Sequence, residues 1–125
     1  MRATLLLLAL ACPMAANADI VDIKWTTGEF AHKATIAPKK FLEVCGKLNR
    51  GDSVAWQFSG SAPSDFNIHY HVGKEVSYPE NRKDVASAEG TLPVLLEQDY
   101  CWMWSNRSAQ AVDIGLTLKR TITGK

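Results

Sequence analysis

Three histidines are the residues of this chain best suited to chemistry. His69 and His71 lie two positions apart in a segment, residues 66–72, whose alternate positions are aromatic or aliphatic. If this segment is a strand with its apolar face in the core, the two histidines share the opposite face, about 7 Å apart at Cα. Imidazole nitrogen binds copper, zinc, nickel and iron. The pair is therefore a candidate chelate.

The other ligands of such a site must come from elsewhere in the chain. His32 is the one remaining histidine, and its neighbours on the same face of a predicted strand are apolar, so its ring needs a polar partner or a metal. Met103 is a candidate fourth ligand, since a thioether favours Cu(I). We predict a metal site, with copper preferred and zinc second, formed by His32, His69, His71 and Met103. The alternative is that His69 and His71 are solvated side chains on the outer face of a strand.

Enzymatic activity is not indicated by any motif in the sequence. There is no G-x-S-x-G nucleophile elbow, no glycine-rich phosphate loop and no evident pair of carboxylates. Three histidines allow a Ser-His-Asp triad on paper, but a triad is defined by geometry and not by composition. We therefore expect a binding protein and not an enzyme.

The amino-terminal segment has the pattern of a secretory signal peptide. Arg2 precedes an apolar run over residues 3–11, and an Ala-Asn-Ala motif at positions 16–18 ends before Asp19. The run is too short to span a bilayer, which takes about 20 residues. We predict a signal peptide over residues 1–18, a single domain over residues 19–125, and a periplasmic or secreted location.

Two of the three cysteines are predicted to form a disulfide bond. Cys12 falls in the signal segment, where a lipoprotein signal is the alternative interpretation. Cys45 and Cys101 remain as an even pair, which in an oxidising compartment favours a bridge. The alternatives are a pair of thiolate metal ligands or a redox couple, although no C-x-x-C motif is present.

Alternating apolar and polar residues dominate the rest of the chain. Strand-like runs are separated by turn-like segments, among them residues 60–65 and 79–84. One helical turn is predicted at 85–89. Seven or eight short strands predict an all-β fold, a single antiparallel β-sandwich. Without Arg2 the chain has 13 basic and 13 acidic side chains, which argues against binding to nucleic acid or to an anionic membrane.

Several short motifs resemble the GOLD family. Cys45-x-x-Leu48-x-x-Gly51-Asp52 is followed by a strand-like segment at 66–70 and by a late Cys101 in residues 99–108. GOLD domains are β-sandwiches of luminal cargo receptors in the early secretory pathway and of some lipid-transfer proteins. Over about residues 40–119 the resemblance implies a GOLD-like or jelly-roll-like sandwich and a Cys45–Cys101 bridge. It does not imply cargo transport, because we find no coiled coil or membrane span beside it.

Two tripeptides invite a functional interpretation. Arg50-Gly51-Asp52 spells a cell-adhesion motif, but Gly-Asp is also good turn chemistry, and we interpret it as a turn. Asn106-Arg107-Ser108 is a glycosylation sequon, which matters only in a eukaryotic secretory lumen.

The predicted function is that of a small, soluble, exported binding protein with a transition-metal site. The alternative is a protein-interaction module without metal, which binds a polypeptide partner through its sheet surface, at an exposed edge or an aromatic patch.

Overall fold

The computed structural model describes residues 18–122, and every regular element in that range is a strand. The strands are β1 (Ala18–Asp22), β2 (Glu29–Ile36), β3 (Phe41–Leu48), β4 (Ser53–Val72), β5 (Glu75–Pro93), β6 (Gln98–Ser105) and β7 (Val112–Thr121). The all-β prediction is confirmed. The predicted signal peptide lies outside the described residues except for Ala18, where β1 begins. Within the described range no helix is long and apolar enough to cross a membrane.

The seven strands form one mixed sheet that curls on itself. Its order is β1-β3-β6-β4-β7-β2, with β5 paired to β4. The first part of β4 pairs with β7 and the last part pairs with β6. This change of partner brings the two halves of the sheet face to face, so that the rings of Phe58 and Phe66 lie 4.6 Å apart. The molecule is a half-barrel around one core.

Three details of the predicted sandwich are corrected. The strands belong to one continuous sheet, and β1 pairs with β3 in parallel, so the sheet is not purely antiparallel. Residues 60–65 and 79–84 do not separate strands, because the 20-residue β4 and the 19-residue β5 run through them. Irregular pairing between the two strands lets the hairpin fold back there. Residues 85–89 belong to β5 and form no helical turn.

The core is built from the alternation that the sequence shows. Inward-facing residues of β6 and β7 are buried, namely Tyr100, Trp102, Trp104, Val112, Ile114, Leu116 and Leu118. Gly90 of β5 lies against the indole of Trp56, where a Cβ would stand 2.7 Å from Cζ2. Glycine is therefore required there by close approach and not by backbone conformation.

The disulfide joins Cys45 to Cys101, as predicted. The two cysteines are direct cross-strand neighbours of the β3–β6 pair, with Cα atoms 4.1 Å apart. The residues that alternate with the two cysteines along β3 and β6 fill the core, so the bridge lies on the outer face of the sheet. On that face His69 of β4 is the cross-strand neighbour of Cys101.

Candidate functional site

His69 and His71 leave the outer face of β4 together, as the alternation predicts. Their ring centroids are 5.3 Å apart in an edge-to-face arrangement. They differ in burial, because His69 is 5% exposed while His71 is open to solvent. Tyr78 of β5 covers His69 from one side at 6.0 Å between rings.

Both ring nitrogens of His69 have polar partners. Nε2 lies 3.2 Å from Oε1 of Glu43, and Nδ1 lies 2.7 Å from Oδ1 of Asn67. Burial lowers the pKa of His69, the Glu43 carboxylate opposes that shift, and His71 adds to it. This arrangement is that of a buried polar ring held by neighbours on β3 and β4.

The structure does not bring the four predicted metal ligands together. His32 is the β2 neighbour of Leu116, which in turn is opposite Phe58 in the first half of β4. Its ring stacks on Phe30, with centroids 6.2 Å apart. His69 belongs to the second half of β4, which pairs with a different strand. His32 therefore shares the inner face of the sheet with Leu116 and Phe58, whereas His69 and His71 lie on the outer face of another part of β4.

Met103 and one unpredicted residue lie near the histidine pair. Met103 is the cross-strand neighbour of both Glu43 and Asn67. Among the described residues, ligand atoms of Glu43, His69 and Cys101 lie within 4.8 Å of one another, but the Cys101 sulfur is already bonded to Cys45. Our sequence interpretation missed Glu43. Its signal was its position two residues before Cys45, which places both on one face of a strand.

A second feature is a cluster of exposed apolar side chains at one end of the molecule. Seven large hydrophobic residues are exposed in the described part of the chain, and five of them lie here. We call this set the apolar end: Val72, Val76, Tyr78, Leu95 and Leu96. Tyr78 and Leu95 line one groove, and Val72 and Val76 flank the turn of the β4–β5 hairpin. Pairing of His69 with Cys101 places this hairpin beside the start of β6, which Leu95 and Leu96 precede.

The loop of the apolar end is anchored to the body of the protein. The Tyr100 hydroxyl donates a hydrogen bond to the Leu96 carbonyl at 2.8 Å, and Val94 exchanges backbone hydrogen bonds with the 51–52 turn. A groove of about 370 Å³ runs beneath, with Tyr70, Tyr78 and Leu95 in its wall. Leu95 is 79% exposed on this fixed loop.

A wider cleft opens on the outer face of the β4–β7–β2 region. It has a volume of about 990 Å³, and small or polar residues such as Ala31, Ala55 and Gln57 line it. Its two aromatic residues are Phe30, which is half-buried, and Trp56, which is buried. The cleft therefore presents no exposed ring among its described lining residues on which a sugar could stack.

Comparison with solved structures identifies the fold. The structure is similar to PliG of Aeromonas hydrophila, a periplasmic lysozyme inhibitor of g-type lysozyme, with a TM-score of 0.64, 13% identity, and coverage of 86% of this chain and 100% of that one. It is also similar to Salmonella Typhimurium PliG, with a TM-score of 0.57, 10% identity, and coverage of 82% and 98%. A third neighbour is the pre-peptidase C-terminal domain of Bacillus anthracis collagenase, with a TM-score of 0.52, 7% identity, and coverage of 86% and 100%.

These likenesses establish an all-β fold shared with small periplasmic proteins. No protein-family model matches the sequence, and no curated protein matches it. None of the three neighbours is a GOLD domain, so the GOLD resemblance stays a prediction. The two PliG proteins are periplasmic lysozyme inhibitors, and their periplasmic location agrees with the predicted location of this chain.

Proposed function

We propose that this protein is a small exported module that binds another protein and catalyses no reaction. The observation that carries the proposal is the apolar end, with its five exposed large side chains at one end of the molecule. The PliG neighbours support it, since a lysozyme inhibitor acts on a protein partner. This is the interaction-module alternative of the sequence analysis, now with a surface assigned to it.

Exposed apolar side chains that are scattered singly over a surface are normal in soluble proteins. A cluster of them marks an interaction surface. The anchored loop adds a second argument. Because Leu95 and Leu96 lie on a loop already held by Tyr100 and Val94, less conformational entropy is lost on binding. The 370 Å³ groove beside Leu95 offers a pocket for an apolar side chain of the partner.

A g-type lysozyme is the first partner to test, because the PliG neighbours inhibit that enzyme. We expect the exported protein to slow lysis of a bacterial cell-wall suspension by g-type lysozyme and to bind it in titration calorimetry. Leu95→Asp should weaken binding at least about tenfold, since it places a charge in the interface core. Ile20→Asp is the matched control, because Ile20 is also exposed but lies outside the apolar end.

One outcome contradicts the assigned surface and another contradicts the assigned partner. If Leu95→Asp binds as tightly as the parent and as Ile20→Asp, the apolar end is not the interface. If the parent neither binds nor inhibits the enzyme at micromolar concentration, g-type lysozyme is not its partner. Circular dichroism of each variant shows whether the fold has been kept.

Metal binding is a second candidate function, which one distance favours. Nε2 of His69 and Oε1 of Glu43 are 3.2 Å apart, close to the about 3.3 Å expected between two ligands of a tetrahedral ion with 2.0 Å bonds. Titration with Cu²⁺ and Zn²⁺ should show binding below micromolar that His69→Ala abolishes. His32→Ala separates the two versions of the site, since only the four-ligand prediction requires His32. Absence of binding by the parent rules out both.

A further inference from the structure

We propose that the loop of residues 106–111, here called the Arg107 loop, is a preorganised docking element for an acidic polypeptide. It joins β6 to β7, at the end of β6 opposite the apolar end. The inference rests on the proposed function only in taking a protein as the partner, and it concerns a different surface.

The loop is braced from inside by the side chain of Asn106. This side chain is 1% exposed. Its Nδ2 donates to the carbonyls of Ile36 at 3.0 Å, Ala37 at 3.2 Å and Gln110 at 2.7 Å. One amide thus ties the loop both to itself and to the segment that follows β2. The same side chain accepts on its other atom, since Oδ1 receives the backbone N–H of Ser108 at 3.0 Å.

Ser108 and the neighbouring backbone complete the bracing. The Ser108 hydroxyl lies 2.7 Å from Oδ1 of Asn106 and 3.0 Å from the Gln110 carbonyl, and it accepts the Gln110 N–H at 3.2 Å. The Asn106 N–H donates to the Lys40 carbonyl at 2.9 Å. The Lys39 ammonium donates to the carbonyl of Arg107. The start of the loop is therefore fixed to the segment before β3, and Gln110 is tied back to that start through Asn106 and Ser108.

Burial does not hold this loop in its conformation. All residues from Arg107 to Ala111 are exposed, and none adds apolar surface to the core. Fixing an exposed backbone costs conformational entropy, which the hydrogen bonds of Asn106 and Ser108 offset. Rigid exposed loops on a packed scaffold are a common way to present binding residues.

Arg107 forms the ridge between two shallow clefts. Lys39 and Lys40 line one cleft, and Lys83, Asp65 and Asp84 line the other. Four cations and two carboxylates line the two clefts, which gives their lining residues a net charge of +2.

One carboxylate orients the arginine and leaves most of its side chain exposed. Burial acts to raise the pKa of Asp65, but the Asp84 N–H and the cations Arg107 and Lys83 outweigh it, so the pKa is lowered and the group stays ionised. Its Oδ2 lies 3.3 Å from Nη1 of Arg107 and 3.8 Å from Nζ of Lys83. The Arg107 side chain remains 76% exposed. Its outward-facing donors match the fork of a partner carboxylate.

The neutral residues of the loop favour a polypeptide over a simple anion. Ser108, Ala109 and Gln110 are small or amide-bearing and directly follow the charged Arg107. They offer hydrogen bonding and close backbone approach to a second chain. An acidic segment of a folded protein would use both the cations and this neutral surface.

The test is an NMR titration of the isotope-labelled exported protein with an oligoglutamate peptide. We expect shift changes at the Arg107 loop and at Lys39 and Lys83, which added salt diminishes. Arg107→Ala should weaken binding about tenfold, the equivalent of one charge-assisted contact. Arg50→Ala is the matched control, because Arg50 is also an exposed arginine but lies at the opposite end of the strands, and it should change nothing.

A second variant tests preorganisation. Ser108→Ala removes the hydroxyl brace and keeps every charge, so amide order parameters of the loop should fall below the about 0.85 of rigid backbone, and the peptide affinity should fall about threefold. Unchanged order parameters and affinity would show that the hydroxyl brace is irrelevant and would overturn the preorganised part of the proposal.

The remaining outcomes are equally decisive. Equal losses for Arg107→Ala and Arg50→Ala, or no shifts at millimolar peptide, would overturn the docking site. Binding to phosphatidylglycerol vesicles in place of the peptide would assign the loop to a lipid surface and also overturn it. Leu95→Asp should leave the peptide titration unchanged, so failure here is distinguishable from failure of the apolar end in the lysozyme assay.

Discussion

At the scale of single residues, Asp52 shows how a suggestive motif becomes a structural one. Its carboxylate is 4% exposed, and Oδ2 accepts hydrogen bonds from the Asn49 N–H at 2.9 Å and from Arg120 Nε at 3.0 Å and Nη2 at 2.6 Å. Arg120 in turn stacks over Trp25 at 5.5 Å. Asp52 therefore closes the turn and is not accessible to an adhesion partner, in agreement with the turn interpretation of Arg50-Gly51-Asp52.

Replacing Asp52 tests this assignment. Asp52→Asn leaves the largely buried Arg120 guanidinium without its counter-charge, and breaking such a pair costs about 3 kcal/mol. The urea midpoint of unfolding should fall accordingly, whereas Arg50→Ala, a change of the exposed residue in the same tripeptide, should leave it within about 0.5 kcal/mol of the parent. Equal midpoints for Asp52→Asn and the parent would show that the pair contributes nothing.

Asn106 is likewise a structural residue, although it begins a glycosylation sequon. The atom that would carry a glycan is Nδ2, and it is buried and donates to three carbonyls. A glycan on that atom would break these hydrogen bonds and disrupt the Arg107 loop. Two of the three carbonyls belong to residues about 70 positions earlier in the chain, so no local pattern could have shown that this asparagine is structural.

At the scale of elements, the Tyr100 hydrogen bond links a core strand to the loop of the apolar end. Burial raises the pKa of Tyr100, and Tyr70 adds to the rise. The folded protein thus holds Tyr100 neutral at a pH where the unfolded chain begins to ionise. This contribution to stability is complete below about pH 10 and is lost as the pH rises toward the folded pKa.

Unfolding at alkaline pH tests whether the free energy of unfolding falls with rising pH, as the raised pKa of Tyr100 predicts. Between pH 9 and 11, the free energy of unfolding of the parent should fall by up to about 1.4 kcal/mol per pH unit from this group, and Tyr100→Phe should flatten that slope. Tyr78→Phe is the control, since Tyr78 is exposed on the same side of the molecule. The same slope for the parent and Tyr100→Phe would mean that Tyr100 ionises equally in both states.

Strand alternation predicted which residues face the core, and it did so well. Trp102, Trp104 and the apolar positions of β7 alternate with polar residues and are buried, and His69 and His71 share the outer face as predicted. It failed on the length of the strands, because residues 60–65 and 79–84 fold one hairpin back on itself without ending its strands. The glycine, prolines and serines of these segments would suit a turn between separate strands equally well, and only the packing of the core decides between the two.

The candidate sites depend still more on long-range register. Glu43 reaches His69 because β3 and β4 flank β6, and His32 is remote because β2 pairs with β7. Strand order is a property of the whole sheet, and many orders share the same alternation. The same holds for the apolar end, whose members come from three separate segments of the chain.

At the scale of the whole molecule, the disulfide bond encloses the element that makes the fold. Cys45 and Cys101 are 56 positions apart, and the loop between them contains all of β4 and β5. Those two strands contribute to both halves of the curled sheet. The bridge therefore restricts the unfolded chain over β4 and β5.

Removing the bridge should lower stability without changing the architecture. For a loop of this length the chain-entropy model gives about 4 kcal/mol, a large share of the 5–15 kcal/mol typical of a domain. The double variant Cys45→Ala/Cys101→Ala should unfold at a much lower urea midpoint and keep the far-ultraviolet circular dichroism of the parent. Because the half-cystines lie on the outer face, little core packing is lost with them, and the effect comes mainly from the unfolded chain. A reduced parent protein should behave as the double variant does. If the double variant unfolds at the midpoint of the oxidised parent, the bridge does not restrict the unfolded state, and the curled sheet is stable through its core alone.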